Sequence, residues 1–188
     1  MDREHLEATP MGGSLPERLN RWGFSREGLR DNRRGEWWLI AQLTLIAAHL
    51  LPATPPPEAL GVAWPPGLGL SGWSLLALGL VLAARAVWHL GASLTPLPEP
   101  MPSAELVTTG AYSRCRHPLY QAVVVCSLGV TLALGSLLHL ALLLLLSAVL
   151  SGKARREERR LLELHPDYAA YRAGTPAILP AVPGLDWR

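Results

Sequence analysis

The sequence has few cysteines and little net charge, and each scarcity disfavours a class of protein. Its two cysteines, Cys115 and Cys126, have neither disulfide nor metal-ligand spacing, so both are predicted to be free thiols and no metal site is expected. The 17 basic residues exceed the 15 acidic ones only slightly, so we expect no nucleic-acid partner. Polar residues fill about the first thirty positions, so no secretory signal is visible and the first apolar helix is expected to direct insertion.

Apolar residues, by contrast, are abundant and lie in long runs. They make up 49% of the 188 residues, and the mean hydropathy is +0.21, which is typical of a membrane protein with sizeable aqueous segments. Residues 119–150 carry no charge and as one helix would rise about 48 Å, which exceeds a bilayer core. We therefore divide them at Gly135-Ser136. The predicted spans are residues 37–51, 68–90, 119–134 and 137–150, with a proline-rich, non-helical loop at 52–66.

The distribution of Arg and Lys predicts the topology. Apart from Arg85, they lie before the first span, in the loop at 94–118 and from Lys153 onward, and none lies in residues 52–70. This asymmetry places both termini and the 94–118 loop in the cytoplasm. The predicted fold is an all-α integral membrane protein with about four transmembrane helices. The third and fourth form a tight hairpin, and a cytoplasmic C-terminal helical lid follows.

Three segments follow from these assignments. Residues 1–36 are predicted to be a cytoplasmic, partly disordered segment in which 15–29 carry a weak amphipathic pattern. Residues 37–152 are predicted to be the transmembrane domain. Residues 153–188 are predicted to continue the fourth span into the cytoplasm, with Tyr168 and Tyr171 on one face of a short helix, and to complete a ligand pocket.

The stretch from Gly110 to Tyr120 contains the clearest candidate site. Pro118 suits the first position of a helix, because its φ is fixed and its missing N–H would have no partner there. The free N–H groups of that turn, beside Arg116 and His117, predict a pocket for an anion such as a carboxylate. The alternative is that Arg116 and His117 only anchor a helix end at lipid headgroups.

Other polar residues are expected near the same cytoplasmic face. Arg85 and His89 lie one turn apart at the end of the second span and are candidate substrate ligands, although Arg85 is close enough to the end to snorkel. The other polar residues expected at this face belong to the pairs Glu157-Glu158 and Tyr168-x-x-Tyr171. Acidic side chains and tyrosine rings suit an ammonium or another cation. The alternatives are a solvated helix for the glutamates and plain packing for the tyrosines.

The spacing of these motifs resembles that of one family. Gly110-x-Tyr112, Arg116-His117-Pro118-x-Tyr120, a hydrophobic hairpin, Glu157-Glu158, Tyr168-x-x-Tyr171 and Pro180 follow one another as in the isoprenylcysteine carboxyl methyltransferase and phospholipid methyltransferase superfamily. The resemblance covers residues 94–180 and includes bacterial members. It implies an integral membrane methyltransferase that uses S-adenosylmethionine and a lipophilic acceptor from the bilayer, with a carboxylate, amine or thiol as the nucleophile.

The resemblance also implies roles for individual residues. It assigns His117 and the backbone of Pro118 and Leu119 to the cofactor. Tyr112 and Tyr120 would shape the pocket, Glu157 or Glu158 would contact the cofactor, and Tyr168 and Tyr171 would close over it. Arg116 and Glu158 are the predicted catalytic residues: the first as partner of an acidic acceptor or of the glutamates, the second as a group able to take a proton.

Two other functions remain as alternatives. One is a reductase of the sterol-reductase type with a nicotinamide cofactor, for which this chain is short. The other is a non-catalytic membrane scaffold or sensor that retains the fold. The Arg-rich composition and small size favour a bacterial protein, in an inner or thylakoid-type membrane whose lipids are its expected surroundings. A Gly-rich Rossmann fingerprint, common in soluble methyltransferase domains, is missing from the sequence.

Overall fold

The computed structural model describes residues 26–91, 95–99 and 105–188, and the regular elements within them are all helices. Most of the predicted amphipathic segment at 15–29 lies outside these residues. Two short 3-10 turns, Pro57–Leu60 and Gly110–Ser113, occur between longer helices. The α-helices are α1 (Arg26–Asp31), α2 (Glu36–Ala48), α3 (Pro66–Leu90), α4 (Pro118–Leu134), α5 (Leu137–Leu164) and α6 (Tyr168–Gly174).

Two of the helices, α3 and α5, are long and apolar enough to cross a membrane. The 25 residues of α3 rise about 37 Å, whereas the 13 residues of α2 rise about 20 Å, less than a bilayer core. Only 11% of the most apolar stretch of α3 is buried, and large side chains such as Trp88 and Leu70 are 85% and 70% exposed. Apolar surface of this extent suits contact with lipid rather than water. The four-span topology stays a prediction.

The turn between α4 and α5 lies at Gly135-Ser136, as predicted from the sequence. Gly135 has φ +59°, in the left-handed region that favours glycine, and the Trp64 ring covers the face where a Cβ would project. The Trp64 indole donates to the Leu132 carbonyl at 2.8 Å and so pins the preceding loop onto the hairpin. Pro118 begins α4, as predicted. The loop at 52–66 differs from the prediction, because Pro57–Leu60 forms a 3-10 turn for which a leading proline has a suitable φ.

Small residues allow α3 and α4 to pack closely. A Cβ built on Gly129 of α4 would lie 2.6 Å from the backbone nitrogen of Leu76 and 2.8 Å from the carbonyl oxygen of Gly72, both on α3. A Cβ on Gly72 would in turn collide with the backbone at Ala133. Close backbone approach through small residues is a common way for helices to pack where lipid surrounds them.

The segment after α6 is irregular in conformation but packs against the bundle. Ile178 and Leu185 are buried in one cluster with Tyr120 of α4 and with Leu146 and Leu150 of α5. The Ile178 N–H donates to the Leu185 carbonyl at 2.9 Å, which closes a compact loop. This loop brings the residues that follow it to the polar end of α4 and α5, where the candidate site lies.

We expect Gly129→Ala to destabilise the protein by roughly 1–3 kcal/mol, because the added methyl group meets backbone atoms of α3 that cannot move independently. Thermal unfolding of the detergent-solubilised variant measures the change. Gly67→Ala is the control, since a Cβ at that position of α3 meets nothing within 4 Å. Equal unfolding temperatures for the two variants would contradict the packing described here.

Candidate active site

Arg116 lies at the centre of the polar end of the bundle, and its side chain is fully buried. Its Nε donates to Glu158 Oε1 at 2.8 Å. One terminal nitrogen donates to the carbonyls of Arg172, at 3.0 Å, and Thr175, and the other to the carbonyl of Trp187 at 2.7 Å. Every guanidinium nitrogen therefore has a partner within the chain. Arg116 ties α5 and the segment after α6 to the turn before α4.

Glu158 lies in the charged part of α5, beyond the apolar residues, and only 3% of its side chain is exposed. Its Oε1 accepts from Arg116 and from His117 Nε2 at 3.0 Å, and its Oε2 accepts from Trp187 Nε1 at 2.7 Å. Arg172 Nε lies 3.5 Å from Oε2. Burial favours the neutral acid, but the donors outweigh it and lower the pKa of Glu158 to about 2. The carboxylate is ionised at neutral pH.

The geometry at Glu158 determines how His117 is oriented. Since an ionised oxygen faces its Nε2, that nitrogen carries a hydrogen, and in the neutral ring Nδ1 has the free electron pair. The imidazole stacks on the Tyr120 ring at 5.3 Å with an interplanar angle of 5°. The Tyr120 hydroxyl donates to Glu157 Oε2 at 2.9 Å, and His117 Nδ1 lies 3.9 Å from the same oxygen. His117 thus links the two glutamates.

A cavity of about 770 Å³, part of it open to solvent, lies against this arrangement. Leu90 at the end of α3 and Leu161 of α5 supply part of its apolar wall. Residues 105–107 and His165 also border it. The predicted site residues that line the cavity are Tyr112, Arg116, His117, Leu119, Tyr120, Glu157, Tyr168 and Tyr171.

The remaining predicted site residues lie outside the lining. Glu158 is behind His117, and Pro118 is buried at the start of α4. His89 Nδ1 donates to the Arg85 carbonyl at 2.7 Å, and its ring fills the space that a side chain at Gly110 would need. Gly110 also has φ +62°, in the left-handed region that favours glycine. His89 therefore supports the turn that carries Tyr112, and the substrate-binding role of Arg85 and His89 stays a prediction.

The two tyrosines of α6 differ in how their hydroxyls are used. Tyr171 donates to the Tyr112 carbonyl at 2.5 Å. Tyr168 is 1% exposed, and its hydroxyl has no hydrogen-bond partner among the described residues. Burial raises the pKa of both hydroxyls, so both stay protonated. Tyr168 lines the cavity, and its hydroxyl is a buried donor that no described residue satisfies.

Sequence reasoning missed two residues that support the site. Trp187 contacts Arg116 and Glu158, as described above. Lys153 is 2% exposed, and its ammonium donates to Gln42 Oε1 at 2.7 Å and to the Pro96 carbonyl at 2.9 Å, 5.2 Å from the centre of the Tyr120 ring. The only signals available were a tryptophan in a polar segment and a single lysine in a chain with 17 basic residues.

Comparison with known proteins agrees with the combination of apolar helices and a polar cavity at their ends. A sequence model of the phospholipid methyltransferase family matches residues 69–167, just over half of the chain. The chain belongs to this family, which implies methyltransferase activity in general terms. The match confirms the resemblance that the motifs indicate.

Two curated relatives are bacterial metal-resistance proteins. The chain is 41% identical over 80 residues to the cobalt-zinc-cadmium resistance protein CzcN of Cupriavidus metallidurans, covering 40% of this chain and 35% of that protein. It is 40% identical over 83 residues to the nickel-cobalt-cadmium resistance protein NccN of Alcaligenes xylosoxydans xylosoxydans, covering 42% of this chain and 37% of that protein. The matches thus span little more than a third of each relative.

Glu158→Ala is expected to lower the free energy of unfolding by roughly 3–5 kcal/mol, because the Arg116 guanidinium stays buried without its counter-charge. Glu157→Ala on the same helix is the matched control and should cost about 1 kcal/mol, since that side chain is 25% exposed and loses one hydrogen bond from Tyr120. Denaturant or thermal unfolding in detergent measures both. A smaller loss for Glu158→Ala than for Glu157→Ala would contradict the assignment.

The contribution of Glu158 to stability also depends on pH. Its folded-state pKa of about 2 lies below the ordinary value of 4.5, so the stabilisation is fully present above about pH 4.5 and is lost as the pH falls towards 2. The difference in unfolding free energy between the wild type and Glu158→Ala should therefore narrow on acidification. Unfolding curves recorded between neutral pH and pH 3 test this, and a difference that widens would show that the carboxyl is neutral when folded.

Proposed function

We propose that the protein is a membrane methyltransferase that uses S-adenosylmethionine and methylates a lipophilic acceptor. The observation that carries this proposal is the juxtaposition at one cavity of the Glu157 carboxylate, His117 Nδ1 and the unpartnered hydroxyl of Tyr168, in a chain of the phospholipid methyltransferase family. Four membrane spans, with both termini and this cavity on the cytoplasmic side, belong to the same proposal.

The charges at the cavity suit a cationic cofactor. Glu158 neutralises the charge of Arg116. The carboxylates that line the cavity are those of Glu105 and Glu157, and their negative charge favours an ammonium or sulfonium group. The ring of Tyr112, which also lines the cavity, can pack against such a cation. The Tyr168 hydroxyl is ready to donate to a ligand oxygen or nitrogen.

When bound, S-adenosylmethionine supplies a methyl group on a positively charged sulfur. The protein then has to align the acceptor in line with that methyl group and exclude water, which in favourable systems contributes roughly 7–11 kcal/mol. A carboxylate acceptor needs no base. An amine or thiol must lose a proton, and His117 Nδ1 is placed to receive it, while the ionised Glu158 at Nε2 stabilises the resulting imidazolium.

These roles refine the sequence-based assignment of the catalytic pair. Arg116 donates to Glu158 and to backbone carbonyls from all its nitrogens, so its proposed part is to hold Glu158 rather than to bind the acceptor. Glu158 acts through His117. The acceptor enters beside Leu90, Leu119 and Leu161, where the apolar helices end at the cavity. Carboxylate, amine and thiol all remain possible nucleophiles in this proposal.

Isotope-labelled S-adenosylmethionine should bind saturably to the protein in lipid-supplemented detergent, whereas a nicotinamide cofactor should not. Glu157→Gln and Tyr168→Phe should each weaken binding by about tenfold, because each removes a polar contact that the proposed cofactor would make at the cavity. Glu163→Gln, farther along α5 and 60% exposed, should leave the affinity unchanged. No saturable binding by a folded sample would support the scaffold alternative, and preferential nicotinamide binding would support the reductase.

A further inference from the structure

Trp187 contacts several charged and polar side chains at the site. Its indole N–H donates to Glu158 Oε2 at 2.7 Å, and its carbonyl accepts from Arg116 at 2.7 Å. Its ring lies 5.9 Å from the guanidinium carbon of Arg116, 4.3 Å from that of Arg155 and 6.4 Å from the centre of the His117 ring.

The residues before Trp187 fix its position. The Asp186 carboxylate accepts from the N–H of Ala177 at 3.2 Å and from that of Ala181 at 3.0 Å. Leu185 is buried against the bundle and accepts from Ile178. A loop closed by these bonds delivers the indole to Glu158 with its N–H directed at the carboxylate, so the contact does not depend on a free side chain reaching it from solvent.

The Glu158 carboxylate is therefore shared among several donors. Trp187 and Arg172 face Oε2, while Arg116 and His117 share Oε1. The hydrogen bonds that Arg116 and Trp187 donate to Glu158 disperse the negative charge of its carboxylate. Without them, this charge would favour a second proton on His117 more strongly. Trp187 donates a hydrogen bond to Oε2 at 2.7 Å and contributes no charge of its own, whereas Arg172 Nε lies 3.5 Å from this oxygen and makes an ion pair without a hydrogen bond.

We propose that Trp187 is a positioning residue for the methyl-transfer site: its indole N–H orients and moderates the Glu158 carboxylate, which in turn holds Nε2 of His117 and leaves Nδ1 for the cavity. This inference rests on the proposed function only where it gives Nδ1 the task of accepting a proton. The arrangement of Trp187, Glu158 and His117 is a property of the folded protein and is testable without any ligand.

The test uses Trp187→Phe, which retains an aromatic ring beside Arg155 and removes the N–H. The control is Trp64→Phe, which removes an indole hydrogen bond of 2.8 Å, to the Leu132 carbonyl, far from the site. Nuclear magnetic resonance of isotope-labelled histidine follows the titration of His117, whose signals are those lost in His117→Gln. The charged and titratable groups around it are the same in both variants: Glu157, Glu158, Arg116, Arg172, Tyr120 and Tyr168.

In Trp187→Phe we expect the titration midpoint of His117 to rise by about one pH unit, because the Glu158 carboxylate loses a donor and attracts the imidazolium proton more strongly. Trp64→Phe should leave the midpoint at the wild-type value. For an amine or thiol acceptor, the acid limb of the rate profile should move in the same direction in Trp187→Phe. A merely structural tryptophan would change stability without moving either midpoint.

A second substitution covers the case in which Trp187→Phe does not fold. Benzothienylalanine at position 187 has the shape of tryptophan but carries sulfur in place of the N–H, and it should give the same upward shift. An unchanged His117 titration in either folded protein overturns the inference, whether or not a cofactor binds. Failure of wild-type protein to bind S-adenosylmethionine overturns the proposed function instead, and the titration still decides the role of Trp187.

Discussion

The buried ion pair between Arg116 and Glu158 is the interaction on which the rest of the site depends. Removing two charges from water is unfavourable unless their remaining hydrogen-bonding capacity is also satisfied. Here the backbone supplies much of that capacity, since the carbonyls of Arg172, Thr175 and Trp187 accept from the guanidinium. The pair therefore forms only when the segment after α6 has folded over the end of the bundle. One electrostatic contact thus makes assembly of the site and folding of this segment a single event.

The same pair explains why two adjacent glutamates have different environments. Consecutive residues of a helix project about 100° apart, so Glu158 can face the buried guanidinium while Glu157 faces the cavity. Glu158 is almost fully buried with all its partners internal, whereas Glu157 is partly exposed and accepts from Tyr120. His117 lies between them and touches both. Glu158, whose charge is used inside the protein, and Glu157, whose charge is available to a ligand, are therefore adjacent residues of α5.

Local features were predictable from the sequence, and long-range pairings were not. Pro118 at a helix start, the turn at Gly135 and the short helix that carries Tyr168 follow from backbone rules that act over a few residues. The partner of Arg116 lies 42 residues away, and periodicity could not decide whether Glu157 or Glu158 faces it. The sequence around Trp187 and Lys153 does not identify their partners, because their roles exist only once three separate segments meet. The 3-10 turn at Pro57–Leu60 was missed because prolines were read only as helix breakers.

The internal bonds of Arg116 constrain what the site can recognise. Four of its five N–H groups donate within the chain, and drawing the guanidinium towards an acidic acceptor would leave Glu158 as an uncompensated buried charge. Recognition at the cavity therefore falls to groups whose polar atoms are still available: the Glu157 carboxylate, the Tyr168 hydroxyl and Nδ1 of His117. In the proposed function, an anion, a hydroxyl donor and a potential base close to apolar helix ends suit a ligand with a cationic centre beside an apolar acceptor. A sulfonium cofactor and a lipophilic acceptor, as proposed above, have these features.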